Sequence, residues 1–204
     1  MSHELHLDHE LYYKNYPGRV QEGLSKLLCE HRYPLGVSDF LKRLEEVKTS
    51  PQVLEKWNNL CPTLGDAIIC LPTYPFGSIR IIRGNQKIWN YLAKSTLRDG
   101  VVELKERTYE ALGGHLIPGV IMRTIKERKP EHFEEEIFSY LGVEDHAKER
   151  SFCFPKARPY PYLTLLALSH GGKRVGCSKL DELGCVVGVT EKYPDWVSIW
   201  LDSM

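Results

Sequence analysis

The run Tyr162-Leu-Thr-Leu-Leu-Ala-Leu168 is the densest apolar stretch in the chain, and Ser169-His170-Gly171-Gly172 stops it abruptly. A short apolar run bounded by breakers reads as a buried strand, although periodicity alone leaves a buried helix open. Upstream, Pro155, Pro159 and Pro161 bias the residues before them away from helical backbone, so the chain reaches the run extended. A second apolar run, from Leu183 to Val189, follows fifteen residues on. The core of the fold is expected here, and the rest of the chain has to pack around it.

With 204 residues there is enough chain for one largish domain or two small ones. Lys plus Arg equals Asp plus Glu, 27 each, which removes any global pull toward nucleic acid or an anionic membrane. The first fourteen residues lack the basic start and apolar centre of a signal peptide, and no apolar run approaches the ~20 residues that span a bilayer. These features predict a soluble, cytoplasmic protein. The six cysteines, at 29, 61, 70, 153, 177 and 185, form no C-x-x-C pair. A chain this large does not need disulfide staples, so reduced and mostly buried thiols are expected.

Along the chain, His3, His6 and His9 recur at spacings of three but lack a second ligand cluster nearby, and a polar terminus accounts for them. Tyr12, Tyr13 and Tyr16 lead into a predicted turn at Pro17-Gly18. Val20, Leu24, Leu27 and Leu28 space as an amphipathic helix. Val37, Phe40, Leu41, Leu44 and Val47 repeat the pattern, with Ser38 as the expected N-cap. Ser50-Pro51 opens a third helix, whose apolar side is Val53, Leu54, Trp57 and Leu60. Beyond Pro62 the character changes. Residues 66–71 and 78–83 are strand-like and joined by a Pro/Gly connector, which predicts a hairpin, and a helix follows over Gln86–Lys94. Leu97, Val101, Leu104, Thr108 and Ala111 step by four and three, predicting one long helix from Ser95 to Leu112. Further helices are expected from Pro118 and through Phe133, Ile137, Phe138 and Leu141, the glutamates around the latter forming solvated faces. Residues 143–150 are charged and aperiodic, a candidate linker. Trp196–Leu201 alternates as a terminal strand.

Four constellations bear on chemistry. Asp66 with Glu103-Leu104-Lys105 resembles the metal core of restriction-type nucleases. That core needs Glu and Lys pointing the same way from a strand, whereas the predicted helix would splay them by about 200°. Leu168-Ser169-His170-Gly171 resembles the segment that carries the catalytic His of caspase-like cysteine proteases, with Cys177 and Cys185 downstream as nucleophiles. Neither cysteine lies in the Q-A-C-x-G context of that family. Gly171-Gly172-Lys173-Arg174 could hold an anion on backbone N–H groups, but a hairpin turn with a charged tip explains the same letters. The fourth is Arg158-Pro-Tyr160-Pro-Tyr162. Arg and Tyr are enriched at binding hot spots, and the prolines would present them rigidly.

Together these readings predict one α+β domain over 1–204, with a possible sub-boundary at 143–150. Helical N-terminal and middle segments would pack on a mixed or antiparallel sheet built from 66–71, 78–83, 162–168, 184–189 and 196–201. No catalytic, cofactor or metal set has acceptable geometry. The function expected is therefore a non-enzymatic binding or regulatory protein that engages another protein, including the pathogen-encoded kind that modulates a host factor. Its binding residues would be Arg158, Tyr160, Tyr162, His170 and Lys173. A hydrolase using a Cys/His pair is the alternative.

Overall fold

A computed structural model describes residues 13–72, 78–118, 130–144, 150–155, 158–169 and 172–190. Strand β3 (Pro62–Leu71) is buried along its whole length, because the sheet is covered on both faces. Its even-numbered residues, Leu64, Ile68 and Cys70, join one apolar cluster, and its odd-numbered Ala67, Ile69 and Leu71 join the other. Period-two alternation between two cores is what a central strand requires. The apolar run singled out above is β8 (Tyr162–Ser169), and it lies antiparallel to β3, pairing Ile68 with Thr164 and Cys70 with Tyr162. β10 (Leu183–Thr190) runs parallel to β3, and β4 (Ser78–Ile82) forms the expected antiparallel hairpin with it.

The fold is thus α+β, with a mixed sheet in the order β1-β10-β3-β8-β9-β7 and branches off β3, β8 and β10. β1 (Tyr13–Arg19), β2 (Arg32–Pro34), β5 (Val102–Glu103), β6 (His115–Pro118), β7 (Ser151–Phe152) and β9 (Arg174–Cys177) complete the described strands. Helices α1 (Val20–Cys29) and α4 (Gln86–Lys94) cover one face through Leu24, Leu27, Ile88 and Leu92. Helices α2 (Val37–Glu46), α3 (Pro51–Asn59) and α6 (Pro130–Leu141) cover the other through Phe40, Leu44, Trp57, Ile137 and Phe138. No described helix is long and apolar enough to cross a membrane.

Four expectations need correcting. Pro17-Gly18 is no turn: it sits inside β1, which pairs residue for residue with β10. A proline is tolerated there because β1 is the edge of the sheet, where its missing N–H can face away from the ladder. Ser38 does not cap α2. Gly36 holds the cap position, and Asp66 reaches over from β3 so that its Oδ2 accepts from the Val37 N–H at 2.6 Å. Pro118 starts no helix among the described residues but ends β6, and 119–129 lie outside the description, as do the expected strand at 196–201 and His3, His6 and His9.

The fourth correction is the largest. Only α5 (Glu106–Leu112) of the expected 95–112 helix is helical. Asp99 and Gly100 carry φ of 51° and 80°, and Arg98 and Val101 exchange backbone hydrogen bonds of 2.8 and 3.1 Å across them. Two successive positive φ values are the hallmark of a type I′ turn, for which Asp-Gly is a preferred pair. That turn folds the segment back, and Val102–Glu103 then pairs with β8 instead of coiling.

Candidate functional site

The Arg158-Pro-Tyr160-Pro-Tyr162 segment meets the Asp99-Gly100 turn at one corner of the sheet. Prolines keep it extended, and β8 begins at its end. The Tyr160 hydroxyl accepts from Arg158 Nη1 at 2.9 Å and donates to Asp99 Oδ2 at 2.9 Å. Arg158 Nη2 donates to the Asp99 carbonyl at 2.9 Å, and its guanidinium carbon lies 5.0 Å from the Tyr162 ring centre. Arg98 stacks over Tyr160 at 4.2 Å and pairs with Glu103 at 2.7 Å.

The display expected of these tyrosines is not what the fold does: Tyr160 is 8% exposed and Tyr162 3%. Both rings belong to the core, because Tyr162 opens the buried run and Tyr160 is drawn in two residues ahead of it. Tyr162 also hydrogen-bonds the Cys70 thiol, which burial pushes up to about 12 against that bond. Arg158, with a side chain 18% exposed, braces the corner from within. What reaches solvent is its outer layer, the half-exposed Arg98 and the Asp99 carboxylate at 72%. Sequence reasoning missed those two residues because it placed them in a helix.

Lys173 is exposed on the turn into β9, at the far end of β8 from Tyr162. Seven residues of strand separate the two ends, roughly 23 Å at about 3.3 Å per residue. His170 lies outside the described residues. Lys173 therefore lies apart from Arg158, Tyr160 and Tyr162.

Among the cysteines, Cys29, Cys61 and Cys153 are exposed, Cys177 and Cys185 intermediate, and Cys70 buried, so the thiols are less buried than expected. Burial pushes the Cys177 thiol well above its ordinary value and raises Cys185 too. A nucleophilic cysteine needs the opposite, a stabilised thiolate. The nuclease resemblance also dissolves, for a reason other than the expected one. Glu103 does lie in a strand, opposite Tyr162. Asp66 sits four residues along β3 from Cys70, which is Tyr162's partner on the other side, and that is about 13 Å of strand before any lateral offset.

Asp66 has a different role. The register of β3 against β8 shifts between Thr63 and Ala67, and Gly65-Asp66 occupies the irregularity. Gly65 is there because nothing larger fits: a methyl group on it would lie 2.6 Å from the Pro34 carbonyl oxygen. Asp66 is 7% exposed. Its Oδ2 accepts from Val37 N–H and its Oδ1 from Gly84 N–H at 2.9 Å, tying β3 to the start of α2 and to the turn before α4. Burial raises its pKa, the two backbone bonds oppose the rise, and the Asp39 carboxylate adds to it.

Over this carboxylate opens a cleft of about 350 Å³. Asp39 and Lys42 line one wall from α2, and Arg83 and Gly84 line another from the turn after β4. Tyr33 and Trp89, stacked at 6.0 Å and 8° between planes, form the apolar side. Trp89 is fixed by its indole N–H, which donates to the Gly65 carbonyl at 2.8 Å. Pockets of this size suit small ligands. Among the described residues no group of three or more His, Cys, Asp or Glu is placed to hold a metal ion.

No protein family and no curated protein sequence matches the chain. A solved structure does: a protein of Nanoarchaeota whose C-type lectin fold accommodates massive sequence variation. It superposes with a TM-score of 0.60 at 11% identity, over 87% of this chain and 97% of that one. The architecture described above is therefore similar to a C-type lectin fold, and at that identity the likeness extends to the fold alone.

Proposed function

We propose that the chain is a binding protein that engages a protein partner through the corner built on Tyr160 and Arg158. The observation that carries this reading is the Asp99 carboxylate, largely exposed yet hydrogen-bonded by a buried tyrosine hydroxyl. A charged group held in place before a partner arrives loses little conformational entropy on binding. Arg98, fixed over the Tyr160 ring, adds a cation beside it, so the corner offers a rigid pair of opposite charges. The nanoarchaeal protein's C-type lectin fold accommodates massive sequence variation. A scaffold of that kind can change its surface without losing its core, which suits recognition. A protein that acts by occupancy and not by chemistry fits a regulator of its partner's activity.

The test uses the full chain as bait in its native cell, with cross-linking, and then measures affinity for the co-isolated protein. The double variant Arg98→Ala, Asp99→Asn removes both charges, while asparagine keeps the left-handed backbone and an acceptor for Tyr160. It should bind at least tenfold more weakly with an unchanged melting temperature, in line with hot-spot losses of about 2 kcal/mol. Unchanged affinity would place the interface elsewhere.

A further inference from the structure

We propose that the cleft over Asp66 binds a small zwitterion, an α-amino acid or a dipeptide, with its ammonium between Asp39 and Asp66 and its carboxylate toward Lys42 and Arg83. The two carboxylates converge on one point. A methyl group built on Gly36 would lie 3.2 Å from Asp39 Oδ2 and 3.3 Å from Asp66 Oδ2. The two Oδ2 atoms are therefore no more than about 6.5 Å apart, close to the span of roughly 5.6 Å that a primary ammonium bridges with two hydrogen bonds of about 2.8 Å. Among the described residues nothing hydrogen-bonds or ion-pairs with the Asp39 carboxylate or the Lys42 ammonium, and both are exposed to the cleft.

Across the opening, Arg83 is held rigid because Nε and Nη2 both donate to the Tyr140 carbonyl, at 3.0 and 2.8 Å. That leaves Nη1 for a ligand. A methyl group on Gly142 would lie 3.0 Å from Arg83 Nη2 and 4.0 Å from Ser38 Oγ, so Gly142 borders both the guanidinium and the first turn of α2. Lys42 and Arg83 both favour a carboxylate. Two carboxylates and two cations thus line a single cleft, and Tyr33 with Pro34 supplies an apolar wall for a side chain. A simple cation would meet Lys42 and Arg83, and a simple anion would meet Asp39 and Asp66. A ligand carrying both charges matches both ends.

Calorimetric titration of the full chain with L-phenylalanine and with L-leucyl-L-phenylalanine tests the site. At least one should bind with a dissociation constant on the order of 1 mM or tighter. Whichever binds more tightly identifies a free amino acid or a peptide as the source of the chemistry. N-acetylation and C-terminal amidation should each weaken the better ligand at least tenfold. Gly36→Ala should weaken binding at least tenfold, because its methyl group would stand between the two carboxylates; the backbone there, φ −75° and ψ 168°, accepts any residue. If that variant melts early, Asp39→Asn replaces it, since no described residue pairs with this exposed carboxylate. Lys42→Ala should weaken L-phenylalanine about tenfold and leave L-phenylalaninamide unaffected. The proposal falls if neither ligand binds at about 10 mM, well above a millimolar constant. It also falls if the acetylated ligand binds as tightly as the free one, or if the variants titrate like the parent chain.

Discussion

At the scale of single residues, Asp66 decides most. It is a buried carboxyl at an irregularity of the central strand, and it satisfies two backbone N–H groups from two other elements. Asp66→Ala would leave the Val37 N–H buried without a partner, at about 1–3 kcal/mol, and remove the acceptor of the part-buried Gly84 N–H, so the chain should lose about 2–4 kcal/mol by chemical denaturation. The pH dependence has a definite sign. Because burial raises the folded pKa above the ordinary 3.8, the folded chain holds this proton more tightly than the unfolded one. Its contribution is fully present below 3.8 and is lost as pH rises through the raised folded value. The melting temperature of the parent chain relative to Asp66→Asn should therefore climb as the pH is lowered through that window. A flat difference would show that Asp66 titrates as a free carboxyl does. Asp66 drew notice in the sequence for the wrong chemistry, as part of a nuclease-like set. The better signal stood beside it: Gly65 inside an apolar strand marks a bulge or a close backbone approach.

At the scale of elements, long and strongly periodic segments were legible. Helices α1, α2, α3, α4 and α6 and strands β3, β4, β8 and β10 follow from spacing, breakers and β-branched content, because burial of one face or of both writes itself into the sequence. Strands of two to four residues carry too few side chains to show a period, which is why β2, β5, β6, β7 and β9 went unread. β1 was hidden by its own Pro-Gly. The 95–112 error is different, since the local signal was present: Asp99-Gly100 was outweighed by apolar residues that happen to step by four and three. Of those residues only Val101 and Leu104 are buried, and with Val102 they reach the core from a turn and an extended strand, while Ala111 is exposed. The Arg98–Asp99 corner was lost with them. Gly100→Ala tests the turn. Alanine at φ 80° is strained, and its methyl group would collide with the Asp181 carboxylate, so a loss of about 1 kcal/mol or more is expected. A helix at 99–101 would instead have been stabilised by the same change.

At the scale of the whole molecule, the sheet joins chain ends that sequence reading kept apart. β1 from the first described residues pairs along its length with β10 from the last, and β3 from the first half is bonded to β8 and β10 from the second. Both apolar clusters draw side chains from before residue 72 and after residue 151. A boundary at 143–150 would have to divide β3 from its neighbours, leaving two halves with open sheet edges and uncovered apolar faces. We therefore expect one cooperative unit. A single cut between Asp145 and Glu149 should leave the two fragments associated under native conditions, because both apolar clusters draw side chains from each fragment. Fluorescence and far-ultraviolet dichroism of the uncut chain should then trace one coincident denaturation curve. The decisive outcome is what the fragments do after separation in denaturant. Fragments that refold alone, each with its own sharp transition, would mean that the shared sheet is an interface between two domains. Fragments that stay unfolded apart and recover structure only when mixed would mean that the sheet is the core of one.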